Sequence, residues 1–258
     1  MQPRDVSALF APLHEELLAL LRSLNAEQWL RPTVAGAWRV RDVAAHLLDT
    51  QLRKLSAQRD GHDLAADEQD ILRLINRLNA GGVEFARRLS TRVIVELLTM
   101  SGAAVAAYVV SLDPDARAPF AVAWAGEEES RNWMDTGREY TEWWHHQMQI
   151  RDAAGAPKIL LDERWLEPLL DFSVRALPHA YAALPDASLT LHVDAHAWTL
   201  HRGRMYRGTA DHATTHVHMN GDTAWRMFYN APFAREAVVV EGDAALAAPL
   251  FGARSVMV

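Results

Sequence analysis

The sequence contains no cysteine, so disulfide bonds, thiolate metal ligands and a cysteine nucleophile are all excluded. Any metal site must therefore use histidine and carboxylate side chains, and any thiol chemistry must use a sulfur that a small molecule brings. An excess of positive charge is also missing: the formal net charge is -7, which gives no general attraction for nucleic acid or an anionic membrane. No apolar signal segment follows Met1, and no uninterrupted run approaches the roughly 20 apolar residues of a membrane-spanning helix. We therefore expect a cytoplasmic protein.

The composition is that of an ordinary folded chain. Half of the 258 residues are hydrophobic and 23% are charged, and the length suits one large domain or two modest ones. The hydrophobic pattern repeats with a helical period up to Leu184 and with the alternating period of strands afterwards. We predict a helical domain over residues 1–185 and a small α+β domain over residues 186–258.

The periodic segments predict the individual elements. Expected helices cover residues 5–29 and 40–59. A third helical region begins near Asp67, is weakened or broken at Gly81-Gly82, and resumes towards Asp113. Two more helices are expected over 138–152, between Gly137 and Gly155, and over 162–184, with a kink or stop at Pro178. Their lengths suit a helical bundle. Expected strands lie within 188–206, 213–220 and 236–243, with a short helix over 223–229 capped by Asp222 and a small closing helix.

The segment REYTEWWHHQMQIRD, residues 138–152, carries the strongest chemical signal. Glu142 and His146 are four residues apart, so on a helix their Cβ atoms lie roughly 5–6 Å apart on the same side. A carboxylate and an imidazole so placed can share one metal ion, with bonds of about 2 Å. His46, on the second predicted helix, is the best candidate for a third ligand.

Helical geometry alone leaves this interpretation open. At about 100° per residue, Glu142 and His146 lie on a polar side of the helix, beside Arg138, Glu139 and Gln149. The opposite side carries an apolar stripe formed by Trp133, Tyr140, Trp144 and Met148. The alternative is therefore an aromatic core stripe and a solvated charged face. A metal site requires instead that the polar face line a cleft.

Three segments together resemble a known family. They are GAWRVRDVAAHL at 36–47, EWWHHQMQIRDAAG at 142–155, and HVHMNGDTAWRMF followed by VVVEGDAALAAPLF within 216–251. The chain resembles the DinB-like metal-dependent superfamily, and within it the mycothiol-dependent maleylpyruvate isomerase type. The resemblance covers nearly the whole chain. It implies an N-terminal all-α four-helix bundle followed by a C-terminal α+β domain similar to sterol carrier protein 2.

The resemblance also implies a site and a chemistry. In such proteins one histidine of the second helix and a later Glu-x-x-x-His hold a divalent metal, and the matching residues here are His46, Glu142 and His146. Zinc is the expected metal, although imidazole and carboxylate also suit nickel, iron or manganese. The implied activity uses mycothiol or a similar small thiol. The thiol either assists the isomerisation of a small electrophilic substrate or is itself transferred to that substrate. We hypothesise that the thiol completes the metal shell as a thiolate. The expected partners are that thiol and the substrate, in a monomer or homodimer.

Two positions depart from the family pattern. Arg39 stands where a serine or threonine usually caps the second helix. The C-terminal domain has WRMFYNAPF where the family often carries a Gly-Arg implicated in isomerisation, and Arg226 is nearby but does not match that position. This departure argues against maleylpyruvate as the substrate. The alternative function is a binding module, in which the sterol-carrier-like domain holds an apolar ligand and the metal site is structural or vestigial.

Other residues are weaker candidates. Asp49, three residues after His46, suits either a position behind the metal ligands or a solvated face. His145 lies about 100° around the helix from His146, which favours local packing. Trp38, Trp143 and Trp144 suit the wall of a cleft or, more simply, the core. His216 and His218 share one face of a predicted strand, which fits a second metal site, a pH-sensitive surface or ordinary surface histidines.

Overall fold

The computed structural model describes residues 1–62, 71–211 and 213–256. The chain forms two compact units. The helical unit contains Asp5–Pro119 and Glu142–Lys158, and the sheet unit contains Met1–Arg4, Phe120–Thr141 and Ile159–Val258. The domain boundary near residue 185 stays a prediction from the sequence.

The described part of the helical unit is built mainly from helices. They are α1 (Phe10–Ser23), α2 (Ala26–Trp29), α3 (Val40–Lys54), α4 (Ile71–Ala86), α5 (Thr91–Ser111) and the part of α6 (Asn132–Ala154) that begins at Glu142. A π-helical turn, Leu55–Arg59, extends α3. Helix α3 contacts both α4 and α5, and α1 contacts α5. Their apolar stripes are fully buried, as at Phe10, Val43, Leu47 and Leu98. The amphipathic pattern therefore identified the core faces correctly.

The start of α3 needs no serine or threonine cap. The carboxylate of Asp42, in the first turn, accepts a hydrogen bond from the backbone N–H of Arg39 at 3.1 Å. This bond satisfies one of the backbone donors left free at the beginning of a helix. The departure at Arg39 therefore leaves the helix that carries His46 intact.

The predicted interruption at Gly81-Gly82 is wrong, because α4 runs through both glycines. A glycine inside a helix costs about 1 kcal/mol relative to alanine. At Gly82 the glycine permits a close approach: a Cβ there would lie 2.2 Å from the carboxyl carbon of Asp49 on α3. The expected beginning of this helical region near Asp67 lies outside the described residues.

Helix α6 is longer than predicted. It begins at Asn132, so Gly137 lies inside the helix rather than at its end. The reason is again packing: a Cβ on Gly137 would lie 1.9 Å from a ring carbon of Phe172, so only glycine fits against that ring. The predicted end is correct, because α6 ends at Ala154 and Gly155 follows with a φ of +69°.

The next helical segment is broken earlier than predicted. Helix α7 covers Glu163–Ser173, a 3₁₀ turn follows over Val174–Ala176, and α8 covers Leu177–Ala180. Pro178 therefore lies in the first turn of a new helix, where proline is tolerated because the N–H it lacks has no partner within the helix.

Among the described residues, the sheet unit contains a sheet of five strands. They are β1 (Ser188–Val193), β2 (His196–His201), β3 (Arg204–Arg207), β4 (Thr215–Met219) and β5 (Val239–Glu241), in the order β3-β2-β1-β4-β5. Strands β1 and β4 are parallel, and the other neighbours are antiparallel. One face carries the buried Leu191, Trp198 and Val217, and the opposite face carries His192, His216 and His218. The predicted alternation holds on β4, whereas Thr190 of β1 and Thr199 of β2 are buried on the histidine face.

Two short helices complete the sheet unit, α9 (Gly221–Phe228) and α10 (Ala244–Ala247). Helix α9 is capped by Asn220, whose side-chain oxygen accepts a hydrogen bond from the N–H of Thr223 at 2.8 Å. The predicted cap, Asp222, is instead inside the first turn and accepts a hydrogen bond from the indole of Trp225. Both residues are good N-caps, so the sequence alone did not distinguish them.

Helix α5 is the most apolar of the described helices. Its mean hydropathy reaches 2.0 over a stretch long enough to cross a membrane, and 39% of that stretch is buried. Ile94, Leu98 and Val105 of this helix are completely buried against the rest of the chain. A core helix has the same composition, so hydropathy and length alone do not make α5 a membrane span.

Candidate metal centre

Three side chains predicted to bind a metal lie close together in the helical unit. His46 projects from α3, and Glu142 and His146 project from α6 one turn apart. One possible ligand atom from each residue lies within 4.8 Å of those from the other two. The fold thus brings together residues that are almost a hundred positions apart. The helical periodicity of each segment does not predict this contact.

The distances inside the group suit a shared ion. Nε2 of His146 lies 3.4 Å from Oε2 of Glu142. Two ligands of one tetrahedral ion, with bonds of about 2.0–2.1 Å, lie roughly 3.4 Å apart. The ring centroid of His46 lies 4.6 Å from that of His146, and the rings meet edge to face at 72°. The two imidazoles are therefore adjacent without being stacked.

His146 is oriented by a residue that the sequence interpretation treated only as a polar neighbour. Nδ1 of His146 lies 2.9 Å from Oε1 of the buried Gln149, three residues further along α6. Because an amide oxygen only accepts, the proton of a neutral His146 belongs on Nδ1. Nε2 then presents its lone pair on the side of Glu142. Histidines that bind metals commonly have such a partner on the other nitrogen.

His46 is almost fully buried, and the Nδ1 atom has no hydrogen-bond partner in the described chain. Burial, followed by the neighbouring His146, holds the pKa of His46 well below its ordinary value. The indole of Trp38 lies against the imidazole, with ring centroids 4.9 Å apart. A buried, neutral imidazole with an unpaired nitrogen is a donor that a cation would satisfy.

Glu142 supplies the negative charge of the group. Burial acts to raise the pKa of this carboxyl, but a hydrogen bond donated by His146 and the positive charge of the three nearby histidines, when these rings are protonated, together outweigh it. The net effect is a pKa well below the ordinary glutamate value. Two neutral imidazoles and one carboxylate are a donor set that a divalent cation accepts, so the residues present fit a metal ion.

The alternative of a solvated charged face on α6 is wrong. Glu139, His146 and Gln149 are all at least nine-tenths buried, and Glu142 is half-buried. The opposite stripe is buried as well, since Tyr140 is inaccessible. Helix α6 is therefore enclosed on both sides, and its polar residues are held inside the molecule.

The remaining candidates lie around this group. The carboxylate of Asp49 pairs with Arg53 at 2.8 Å, and burial raises its pKa. Its role behind the metal ligands stays a prediction. The His145 ring lies against that of His146, with centroids 4.0 Å apart. Trp143 is a core residue, because it is buried and its ring packs edge to face with Phe10.

The fold and the three donors describe a class of protein: a helical bundle with a His, Glu, His group, followed by a small five-stranded sheet. Residues 10–151 match the family described as the mycothiol maleylpyruvate isomerase N-terminal domain. This match covers more than half of the chain and includes His46, Glu142 and His146. The chain belongs to this family.

Two solved structures have a similar fold. One is the crystal structure of the mycothiol-dependent maleylpyruvate isomerase, with a TM-score of 0.56, 13% identity, and coverage of 91% of this chain and 90% of that chain. The other is a histidine-to-alanine mutant of that isomerase, with a TM-score of 0.55, 12% identity and the same coverage. No curated protein matches the chain. The similarity extends over both predicted domains, so the predicted fold class is confirmed.

Proposed function

We propose that this protein is a metal-dependent enzyme that uses a low-molecular-weight thiol, mycothiol or a close analogue, on a small electrophilic substrate. The reaction is isomerisation of the substrate or transfer of the thiol to it. The observation that carries the proposal is the convergence of His46, Glu142 and His146 inside the segment that matches the family. We propose the cytoplasm as its location.

The chemistry of the donors supports this role. His46 and His146 would bind the cation as neutral imidazoles and Glu142 as a carboxylate, so a divalent ion would keep a net charge of about +1 with three protein ligands. When bound, such an ion supplies a Lewis acid that lowers the pKa of a thiol or water at its open position. The residual positive charge also favours an anionic sulfur over a neutral one.

The side chains of the group have distinct tasks in this proposal. Gln149 holds the His146 ring in one orientation and in one tautomer. Trp38 covers one side of His46 with an apolar surface and so reduces the access of water there. The absence of cysteine leaves no protein thiol to compete with the incoming sulfur or to form a mixed disulfide with it. We propose zinc as the metal, with nickel, iron and manganese as the other ions that these ligands suit.

We propose a substrate other than maleylpyruvate. The sequence after α9 lacks the Gly-Arg that the resemblance associates with isomerisation, and the nearest arginine, Arg226, is engaged within its own helix. Its guanidinium lies 3.3 Å from the Asp222 carboxylate and 4.7 Å from the Trp225 ring centroid. An arginine held in this way is a poor replacement for one that binds substrate.

The test is metal analysis of protein purified without a histidine tag, combined with a thiol-addition assay. Wild-type protein is expected to retain a divalent ion in the bundle and to consume thiol and electrophile at a metal-dependent rate. His46→Ala should lose one equivalent of bound metal and the metal-dependent rate, whereas His201→Ala, which changes a histidine on β2 of the sheet, should keep both. No bound ion in the wild type, or full retention by His46→Ala, would overturn the proposal. Ligand binding that survives chelation, without turnover, would favour the binding module.

A further inference from the structure

Three histidines lie together on one face of the sheet, far in sequence from the bundle residues. His216 and His218 are two residues apart on β4, so both side chains point to the same side. His192 lies on β1, and the parallel pairing of the two strands sets it opposite His218. We call these three residues the sheet-face histidines. Their strand neighbours Leu191 and Val217 are completely buried on the other face.

The rings of the sheet-face histidines are in direct contact. Nε2 of His192 lies 3.1 Å from Nδ1 of His216. The rings of His192 and His218 stack in parallel, with centroids 4.3 Å apart and planes only 5° from each other. The rings of His216 and His218 are 6.4 Å apart. His192 is thus the central member, because it contacts both of the others.

One of these contacts brings two imidazole nitrogens to a separation that a shared metal ion accepts. Two nitrogens bound to a tetrahedral ion lie roughly 3.4 Å apart, close to the distance between His192 and His216. The nitrogen of His218 must turn towards that pair, and its side chain has room to do so because it is 39% exposed. Three histidines on two neighbouring strands would then supply three of the four ligands of a tetrahedral site.

A carboxylate stands beside the cluster. Glu241 on β5 pairs with His216 in the strand register, and its Oε2 lies 3.7 Å from Nε2 of His218. That nitrogen has no hydrogen-bond partner within the described chain. Glu241 can therefore orient His218 or offset part of the charge of a bound cation, as carboxylates near metal-binding histidines commonly do.

We propose that His192, His216 and His218 bind one divalent transition-metal ion on this face of the sheet. This site shares no residue with the His46, Glu142 and His146 group, and it holds whether or not that group binds a metal. Imidazole ligands without thiolates favour nickel, copper or zinc over magnesium or calcium.

The test separates the two sites by removing the bundle ligands first. The background is the untagged full chain carrying His46→Ala and His146→Ala, titrated with Ni²⁺ by calorimetry at pH 7.5. One equivalent of Ni²⁺ is expected to bind. Adding His192→Ala or His216→Ala should weaken this binding at least tenfold, because even the loss of a partner behind a ligand costs about 10–100-fold in metal affinity. Each variant is compared by circular dichroism, so that loss of fold is recognised.

The matched control is His201→Ala. His201 lies on β2 of the same sheet, where its Nδ1 is 3.1 Å from the hydroxyl of Ser188 rather than from another histidine. This variant should bind Ni²⁺ as tightly as the background. If the background binds no Ni²⁺, or if His201→Ala weakens binding as much as His216→Ala, the proposal is wrong. If the background itself is unfolded, Zn²⁺ titration of wild-type protein by histidine NMR decides: the ring signals of all three sheet-face histidines should shift together, and unchanged signals would refute the site.

Discussion

Replacing Gln149 by leucine tests how the bundle site is held. The substitution keeps a side chain of similar size but removes the oxygen that accepts the proton of His146 Nδ1 at 2.9 Å. His146 can then take either tautomer, and one of them places the proton on the nitrogen that faces Glu142. Losing a partner of this kind typically weakens metal binding about 10–100-fold. That range corresponds to about 1.4–2.8 kcal/mol of binding free energy.

The assay is competition for Zn²⁺ between the apoprotein and a chromogenic chelator, with Gln149→Glu as the conservative control. Glutamate restores an acceptor at the same position, so it should recover most of the affinity that leucine loses. The tautomer of His146 in the apoprotein, observed by ¹⁵N NMR, should be fixed in the wild type and mixed in Gln149→Leu. A Gln149→Leu protein that binds zinc within twofold of the wild type would refute the reasoning.

Three further outcomes follow from the packing and the charges. Gly137→Ala should lower the free energy of unfolding by about 1–3 kcal/mol, because the added Cβ meets the Phe172 ring. Gly81→Ala should raise it by up to about 1 kcal/mol, because nothing lies within 4 Å of the added Cβ. Urea unfolding measures both variants, and equal effects would contradict the packing argument. Asp171→Ala should lower the free energy of unfolding by about 1–3 kcal/mol in the same assay, because it leaves a buried indole N–H without its acceptor and removes one of the two carboxylates, Asp171 and Glu167, that pair with Arg4 and Arg207; a loss under 1 kcal/mol would show that the network contributes little. The pKa of His46 is lowered in the folded state, so the unfolded chain binds more protons than the folded chain below about pH 7. The stability of the apoprotein should therefore fall as the pH drops from about 7 through the folded pKa of His46. His46→Gln should flatten this pH dependence, and an unchanged slope between about pH 7.5 and 5.5 would contradict the role given to His46.

Much of the fold was accessible from the sequence because it depends on local periodicity. The leucines of α1 and the alternation of β1 and β4 each report which side of an element is apolar, and the structure buries those sides. Element ends were less accessible. Gly82 and Gly137 both indicate a break when the sequence is considered alone, yet each lies within a helix because a neighbouring side chain occupies the space of its missing Cβ. That neighbour is distant in sequence, so no local rule identifies it.

The candidate site was predictable in part. The spacing of Glu142 and His146 indicates two donors on one side of a helix, but it does not distinguish a solvated face from an enclosed one. Periodicity favoured solvent, and the structure shows burial. His46 was named as the third ligand and the family resemblance supported it, but no spacing rule places it beside the other two. Gln149 was missed as a partner of His146, although a spacing of three residues on a helix is the signal by which it was detectable.

The sheet-face histidines were also only partly predictable from the sequence. The alternation of β4 places His216 and His218 on one face, and the sequence therefore contains that pair. His192 joins them only because β1 and β4 are neighbours in the sheet, with Thr190 opposite His216 and His192 opposite His218. Strand order and register are properties of the folded chain, so the third member of the cluster became visible only in the structure.

The most direct test of the central claim is anomalous diffraction from crystals of the zinc-loaded protein, collected at the zinc edge. We expect an anomalous peak in the bundle, about 2.0–2.2 Å from one nitrogen of His46, one nitrogen of His146 and one oxygen of Glu142. A zinc-loaded crystal with no peak between these three side chains would contradict it.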